Sequence, residues 1–215
     1  KSKYGAVETF QEAKKCAELF KQNRAKIDGI IVTLPNFGDE KGVAEAIKRA
    51  GLNVPVLIQA QPDEQGSMRL ENRRDSFCGK ISVCNNLWQA GIPYTLTSKH
   101  TVDVKSEAFV KDLDDFASVC RIVKGLKNAR FGAVGARTGA FNTVRYSEKL
   151  LERNGIAVET IDLSEILGQV EKLSNNDENV KDKLSKIENY INCERVSSES
   201  LIKMAKFGFV IDRWI

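Results

Sequence analysis

A short polar loop after the first apolar segment carries the side chains best suited to hold a polar ligand. Segment 30–34 (IIVTL) is followed closely by Asn36, Phe37, Asp39 and Glu40. An amide donates and accepts hydrogen bonds, a carboxylate accepts them from hydroxyl groups, and an aromatic ring covers an apolar face. These residue types indicate a ligand-contacting loop. The two carboxylates also lie where a helix would begin, and the helix dipole stabilises each there by about 0.3–1 kcal/mol, so both interpretations stay open.

A glycine-rich segment, GAVGARTGAF (132–141), lies between a predicted strand and a predicted helix. Its spacing is GxxGxxxG, whereas the dinucleotide-binding turn needs GxGxxG, and no GxxxxGK[ST] phosphate loop occurs. These patterns argue against a nucleotide site. Arg137 is instead placed to hold a carboxylate, a phosphate or a sugar hydroxyl, because a glycine-rich loop lets a ligand approach the backbone closely.

The sequence has no self-contained catalytic or metal-binding motif. His100 is the only histidine, which excludes a histidine-based metal cluster and favours a surface or hydrogen-bonded role for it. No GxSxG occurs, and the five cysteines show neither CxxC nor metal-type spacing. We therefore predict no catalytic residue and no metal ligand in this chain.

Helical and strand patterns alternate along the chain and would position these loops. Because helices separate the strands, the strands must run parallel in sheets that helices cover on both faces. The fold prediction is an α/β protein with two consecutive doubly wound, flavodoxin- or Rossmann-like domains. Predicted strands are 27–34, 54–60, 93–98, 129–136 and 156–163, and predicted helices are 6–24, 40–51, 76–90 (capped by Asp75 or Ser76), 107–126, 141–155, 164–173, 178–192 and 197–215.

The domain boundary is predicted near residue 126, where a long helix ends and a new strand–helix–strand pattern begins. Residues 1–126 form the first α/β domain, which we expect to lack its first strand because the chain opens with a helix. Residues 127–215 form the start of a second α/β domain, which is helical toward its end and incomplete. The chain is therefore expected to be a segment of a larger protein.

Composition indicates an ordinary globular protein. Of the residues, 42% are hydrophobic and 29% charged, and the 33 basic and 29 acidic residues are interleaved, with a net charge of +4. The sequence contains no basic run with interleaved aromatic residues, so nucleic-acid binding is not predicted. No apolar run approaches the ~20 residues that a membrane span needs. An odd number of cysteines without a disulfide or metal pattern predicts free thiols and a cytoplasmic location.

Four segments together resemble one enzyme superfamily. They are DGIIVTLPNFGDE, RRDSFCGKISVCNNL, HTVD and FGAVGARTGAFNTVRYSEKLL with the GIAVETIDLSEI that follows. The sequence is similar to the L-fucose isomerase/L-arabinose isomerase superfamily, and most closely to its L-fucose isomerase-like branch. The resemblance covers nearly the whole chain. It implies the amino-terminal domain and part of the middle domain of such an enzyme.

The resemblance implies aldose–ketose isomerisation of a sugar such as L-fucose or L-arabinose. In that family a divalent metal, usually manganese, stabilises the enediolate while a carboxylate moves the proton. The family's metal ligands, two acidic residues and a histidine, would lie beyond Ile215. This segment alone is accordingly predicted to be inactive and without a metal site.

The resemblance also implies which loops contact the sugar. In the family the loop after an early strand enters a neighbouring subunit's active site, which predicts a homo-oligomer. That loop carries a tryptophan in L-fucose isomerases, and Phe37 stands in the matching loop here. The middle-domain loop matching 136–141 also approaches the sugar. The predicted substrate-binding residues are Asn36, Phe37, Asp39, Arg137, Thr138 and Phe141.

A sugar-binding module of the periplasmic-binding-protein type, without catalysis, is the alternative. It too has two α/β domains and an early strand of the DGIIV type. Against it, such modules complete their ligand site within one chain and usually cross several times between their domains. The sequence pattern favours the isomerase segment.

Overall fold

The computed structural model describes residues 5–215 and divides the chain into two compact units, Lys1–Leu126 and Lys127–Ile215. Residues 1–4, which the predicted first domain includes, lie outside the described residues. Both are built on small parallel sheets, so the predicted α/β fold with parallel sheets is confirmed.

The first unit is a three-stranded parallel sheet in the order β1-β2-β3. Ile30 lies beside Val56 in the first pairing, and Leu57 lies beside Thr95 in the second. The elements are α1 (Phe10–Gln22), β1 (Ile30–Leu34), α2 (Glu40–Ala50), β2 (Val56–Ala60), α3 (Ser76–Gln89), β3 (Thr95–Leu96) and α4 (Glu107–Leu126), with a short 3-10 turn at Arg24–Lys26.

Strand β2 is buried on both faces along its whole length. Because side chains alternate across a strand, Val56, Ile58 and Ala60 pack into one core cluster with residues of α1, α2 and α3. Leu57 points the other way and packs against Phe116 of α4 in a second cluster. Helices therefore cover both faces of this sheet.

The second unit has two parallel strands, with Arg130 beside Ala157, followed by helices. In this unit α8 packs on α6 and α7, with buried side chains from Ile166, Val180 and Ala205. The elements are β4 (Arg130–Val134), α5 (Glu148–Arg153), β5 (Ala157–Ile161), α6 (Leu163–Lys172), α7 (Glu178–Tyr190) and α8 (Ser198–Trp214). No helix within residues 5–215 is both long enough and apolar enough to cross a membrane.

The predicted helix 141–155 is wrong over its first half, since α5 begins only at Glu148. Ser147 caps α5, accepting a hydrogen bond from the Leu150 N–H at 3.3 Å. The preceding Thr143 and Val144 are β-branched and lose χ1 freedom in a helix. Their low helix propensity disfavours an extension of α5 toward its N-terminus.

Asp75 occupies the N-cap position of α3, as predicted, but it does not cap the helix through its side chain. Asp75 lies in the left-handed region, with φ of 58°, and makes no side-chain hydrogen bond to the helix. The hydroxyl of Ser76 instead donates to the carbonyl of Gln61. The prediction of a side-chain cap failed because the partner of Ser76 is distant in sequence. Strand β3 is likewise shorter than the predicted 93–98, because it pairs with β2 through only two residues.

Gly79 provides a test of how tightly α3 packs on the loop after β1. A Cβ at Gly79 would collide with the backbone carbonyl of Phe37, whereas a Cβ at Gly125 in α4 would meet open space. We predict that Gly79→Ala lowers the free energy of unfolding by about 2–3 kcal/mol through overpacking. Gly125→Ala should raise it by about 0.5–1 kcal/mol, as helix propensity requires. Urea denaturation measures both, and an unchanged stability for Gly79→Ala would contradict this packing.

Candidate functional site

Three loops follow the carboxyl ends of the strands in the first unit. They are called here the first loop (35–39), the second loop (61–75) and the third loop (97–106). In parallel α/β sheets, ligands bind at this edge because successive loops converge there. The structure shows how the three loops are joined and which side chains they leave exposed.

The backbone at the end of β2 connects the loops on either side of it. The N–H of Gln61 donates to the Leu34 carbonyl at 2.9 Å, which fixes the start of the first loop. The carbonyl of Gln61 accepts from the Ser76 hydroxyl, which fixes the end of the second loop. The N–H of Val102 donates to the Ala60 carbonyl at 2.9 Å and fixes the third loop. Ala60 and Gln61 are therefore bonded to Leu34 just before the first loop, to Ser76 just after the second loop and to Val102 within the third loop.

Gln59 reinforces this arrangement from inside the sheet. It is only 1% exposed, and its Nε2 donates to the Val102 carbonyl at 2.7 Å. The side-chain oxygen of Gln61 accepts from the Val104 N–H at 3.4 Å. A buried amide is tolerated only when it is hydrogen-bonded, so the third loop is part of what makes Gln59 acceptable in the core.

Asp39 is placed as a helix cap. Its Oδ1 accepts a hydrogen bond from the Gly42 N–H at 3.0 Å at the start of α2. Asp39 therefore caps α2, as one of the two interpretations of the sequence held. That its carboxylate also contacts a ligand stays a prediction. Asn36 and Phe37 are exposed, Phe37 by 42%, and both project from the first loop at the carboxyl edge.

Backbone contacts hold the first loop. Nη1 of Arg74, from the second loop, donates to the Pro35 carbonyl at 3.2 Å. The same guanidinium forms an ion pair with Glu64 at 2.9 Å. On the other side, the Phe37 backbone packs against Gly79 of α3 so closely that no side chain fits between them. The backbone of this loop is fixed while two of its side chains face outward.

A buried lysine holds the third loop. Lys80 is 4% exposed, and its Nζ donates to Thr97 Oγ1 at 2.8 Å and to the His100 carbonyl at 3.0 Å. The Thr97 hydroxyl in turn donates to the Lys99 carbonyl at 2.8 Å. Asp112 Oδ1 accepts from the Ser98 N–H at 3.0 Å. Side chains 98–100 remain exposed on this fixed backbone.

Burial lowers the pKa of Lys80, because removing the ammonium from water disfavours its charged form. The nearby Cys84 and Asp112 oppose this change in pKa by attraction. Burial also raises the pKa of the Cys84 thiol, so Cys84 is not an activated nucleophile.

A groove of about 480 Å³ lies between α3 and β3. Its lining includes the apolar side chains of Phe77, Ile81, Trp88 and Leu96 and the polar side chain of Asn85. The ring of His100 packs against that of Phe77 with 5.3 Å between centroids, and both residues line the groove.

The predicted residues of the second unit lie together in the loop after β4. Arg137 Nη1 donates to the carbonyls of Thr138, at 3.2 Å, and of Phe141. Its guanidinium therefore contacts its own loop. Thr138 and Phe141 are exposed, Phe141 by 58%. The structure brings Asn36, Phe37 and Asp39 into one loop and this second group into another.

The described residues do not form a metal site. Within residues 5–215, no group of three or more His, Cys, Asp or Glu side chains is arranged to hold an ion. No chemical step through a metal can therefore be built from the side chains of this part of the chain.

Sequence reasoning missed the buried polar residues. Lys80 is the only charged residue in α3, and Gln59 interrupts the apolar strand VLIQA. Each pattern indicates a polar group held by the fold, but the partners in the third loop lie 17 to 43 residues away.

These features define a parallel α/β protein whose first sheet presents fixed loops with outward side chains at its carboxyl edge. Residues 1–127 match the family model of the fucose/sulfoquinovose isomerase N-terminal domain. The chain belongs to this family, and the resemblance to fucose isomerases is confirmed over that region. No curated protein matches the chain.

Lys80 gives a pH-dependent test of this site. In the unfolded chain Lys80 has its ordinary pKa of 10.5, whereas burial lowers its pKa in the folded chain. The unfolded chain therefore binds the Lys80 proton more tightly than the folded chain does. The Lys80 contribution to stability is therefore least favourable at low pH and improves as pH rises towards 10.5. We predict that the unfolding free energy of the parent protein minus that of Lys80→Met increases over this interval.

The matched control is Lys48→Met, because Lys48 is exposed on α2 and is solvated in both states. Lys48→Met makes the same change of side chain at an exposed position, so the pH dependence of stability is compared between the two variants. Urea denaturation at several pH values measures both differences. A difference for Lys80→Met that does not change with pH would contradict burial of the ammonium.

Proposed function

We propose that this chain is the amino-terminal portion of an aldose–ketose isomerase whose first and third loops contact the sugar. Membership of the isomerase family supports the reaction class. The observation that carries the proposal is the first loop, whose backbone is held by Arg74 and α3 while Asn36 and Phe37 face outward. Holding side chains on a fixed backbone reduces the entropy lost when a ligand is ordered.

The chemistry of these two side chains suits a sugar. The Asn36 amide donates and accepts hydrogen bonds, which matches a hydroxyl group in either direction. The Phe37 ring covers a face of C–H groups, and aromatic side chains contribute large contact areas with few rotatable bonds. We propose that the described residues supply contacts and orientation for the substrate and that the proton transfer uses groups elsewhere in the protein.

The proposal extends to the assembly and the metal. We propose that the protein uses a divalent metal, Mn²⁺, held by residues beyond Ile215, as the resemblance to the isomerase superfamily implies. We also propose a homo-oligomer in which the first loop enters a neighbouring subunit's site. Five free cysteines are in keeping with the proposed cytoplasmic location.

Phe37 provides the main test. In the full-length protein, Phe37→Ala should lower kcat/KM at least tenfold, about 1.4 kcal/mol, because a sugar contact is lost. Its Tm should be nearly unchanged, since the side chain is exposed. Phe10→Ala is the matched control, because Phe10 is 41% exposed on α1, with the Arg49 guanidinium carbon 4.8 Å from its ring centroid.

Phe10→Ala should leave kcat/KM unchanged. Equal kcat/KM values for the parent protein and both variants would contradict a substrate contact at Phe37. A large drop in the Tm of Phe37→Ala would show instead that the side chain stabilises the fold.

Arg137 tests the second group of residues. Its guanidinium bonds to the carbonyls of Thr138 and Phe141, so we expect it to act by shaping its own loop. Arg137→Lys keeps the charge but lacks the planar set of donors. We predict that Arg137→Ala and Arg137→Lys raise KM by similar factors in steady-state assays. Full activity of Arg137→Lys would show that only the charge is needed.

A further inference from the structure

The third loop is held from within and presents its only aromatic side chain outward. Lys80 and Gln59 bond to its backbone from buried positions, through the carbonyls of His100 and Val102. The His100 side chain is exposed, and its ring packs against Phe77. This resembles the first loop, where a fixed backbone also carries exposed side chains at the same edge.

The α3–β3 groove is lined by His100 and Phe77, and most of its lining is apolar and aromatic. Phe77 is 44% exposed, Leu96 is 49% exposed and Trp88 is 72% exposed. Asn85 and His100 supply hydrogen-bonding groups along the same surface. Its volume of about 480 Å³ lies within the range of small-molecule sites, about 300–1,000 Å³.

Formal charge is missing from the accessible lining. The described residues that line the groove include no Asp, Glu or Arg. Lys80 is the one lysine among them, and it is only 4% exposed. Its amine already donates to Thr97 and His100. An anionic ligand would lose hydration here without gaining an ion pair, whereas a neutral ligand would lose less.

We infer that the α3–β3 groove binds a neutral polyhydroxylated ligand, with His100 as a hydrogen-bonding contact and Lys80 as the residue that positions it. C–H faces of such a ligand match the rings of Phe77 and Trp88, and its hydroxyl groups match Asn85 and His100. This inference rests on the proposed function and deepens it. It favours a neutral sugar over a sulfonated one, the two classes in the family's description.

Lys80 acts through His100 and does not itself reach the ligand. Without its amine, the His100 carbonyl loses a buried donor and Thr97 loses one of its two partners. The backbone of the third loop would then be held by Gln59, Asp112, the Ala60 carbonyl and the Gln61 side chain. The imidazole should become less well positioned while remaining chemically intact.

NMR of the His100 imidazole tests binding directly. Histidine-labelled full-length protein is titrated with L-fucose and, separately, with sulfoquinovose, and His100→Gln assigns the signal. We expect L-fucose to shift the His100 signal saturably and sulfoquinovose to shift it at least tenfold less effectively. An unmoved His100 signal at saturating L-fucose would overturn the inference, and so would tighter binding of sulfoquinovose through His100.

Steady-state kinetics test the two roles. His100→Ala and Lys80→Met should each raise KM for L-fucose at least tenfold with kcat changed less than threefold, and His100→Gln should restore part of the loss. Lys48→Met should match the parent protein. Lys80→Met should also speed amide exchange at Val102, whose N–H donates to Ala60, in protein that keeps its native fold.

The outcomes separate this inference from the proposed function. If Phe37→Ala impairs turnover while His100→Ala and His100→Gln do not, the groove assignment is wrong and the isomerase proposal stands. If no aldose is isomerised but L-fucose still shifts the His100 signal, the groove assignment stands and the proposed reaction is wrong.

Discussion

The carboxyl end of β2 is the constraint on which the candidate site depends. Its five residues are buried on both faces of the sheet, so the strand cannot shift without disturbing two core clusters. The backbone groups of Ala60 and Gln61 bond to the start of the first loop at Leu34, to the end of the second loop at Ser76 and to Val102 of the third loop. Because β2 is fixed by packing at the centre of the sheet, the loops that bond to its end are held in place at the edge of the sheet.

Buried polar side chains also hold the third loop in place, and their burial costs free energy. An unsatisfied buried group costs about 1–3 kcal/mol, so Gln59 and Lys80 are tolerable only because the third loop offers them partners. The dependence is mutual, since the same hydrogen bonds fix the loop. The exposed side chains of Phe37 and His100 are therefore carried by backbone that the core determines.

Local patterns in the sequence were sufficient for most elements. The predicted helix 107–126 coincides with α4, and the predicted helix 40–51 matches α2, which ends at Ala50 and is capped by Gly51 with φ of 56°. Periodic apolar residues and a glycine stop are local signals. The first half of the predicted helix 141–155 failed because apolar spacing there was not matched by helix propensity.

The site was less accessible to sequence reasoning. Asn36 and Phe37 were predicted as ligand contacts from their residue types and their place after a strand. The structure shows that both are exposed in this loop, and their contact with a ligand stays a prediction. Lys80 and Gln59 were missed because their roles depend on partners far along the chain, at Thr97 and Val102. His100 was assigned a surface or hydrogen-bonded role, and its contact with Phe77 became visible only in the folded chain.

The central claim is that the carboxyl edge of the first sheet contacts the sugar, and amide hydrogen exchange tests it most directly. Exchange of the full-length protein is measured with and without a saturating sugar that the enzyme isomerises. The account predicts slower exchange in 35–39 and 97–106, with little change in the buried strand β2. Slower exchange confined to segments away from both loops, at proven saturation, would contradict it.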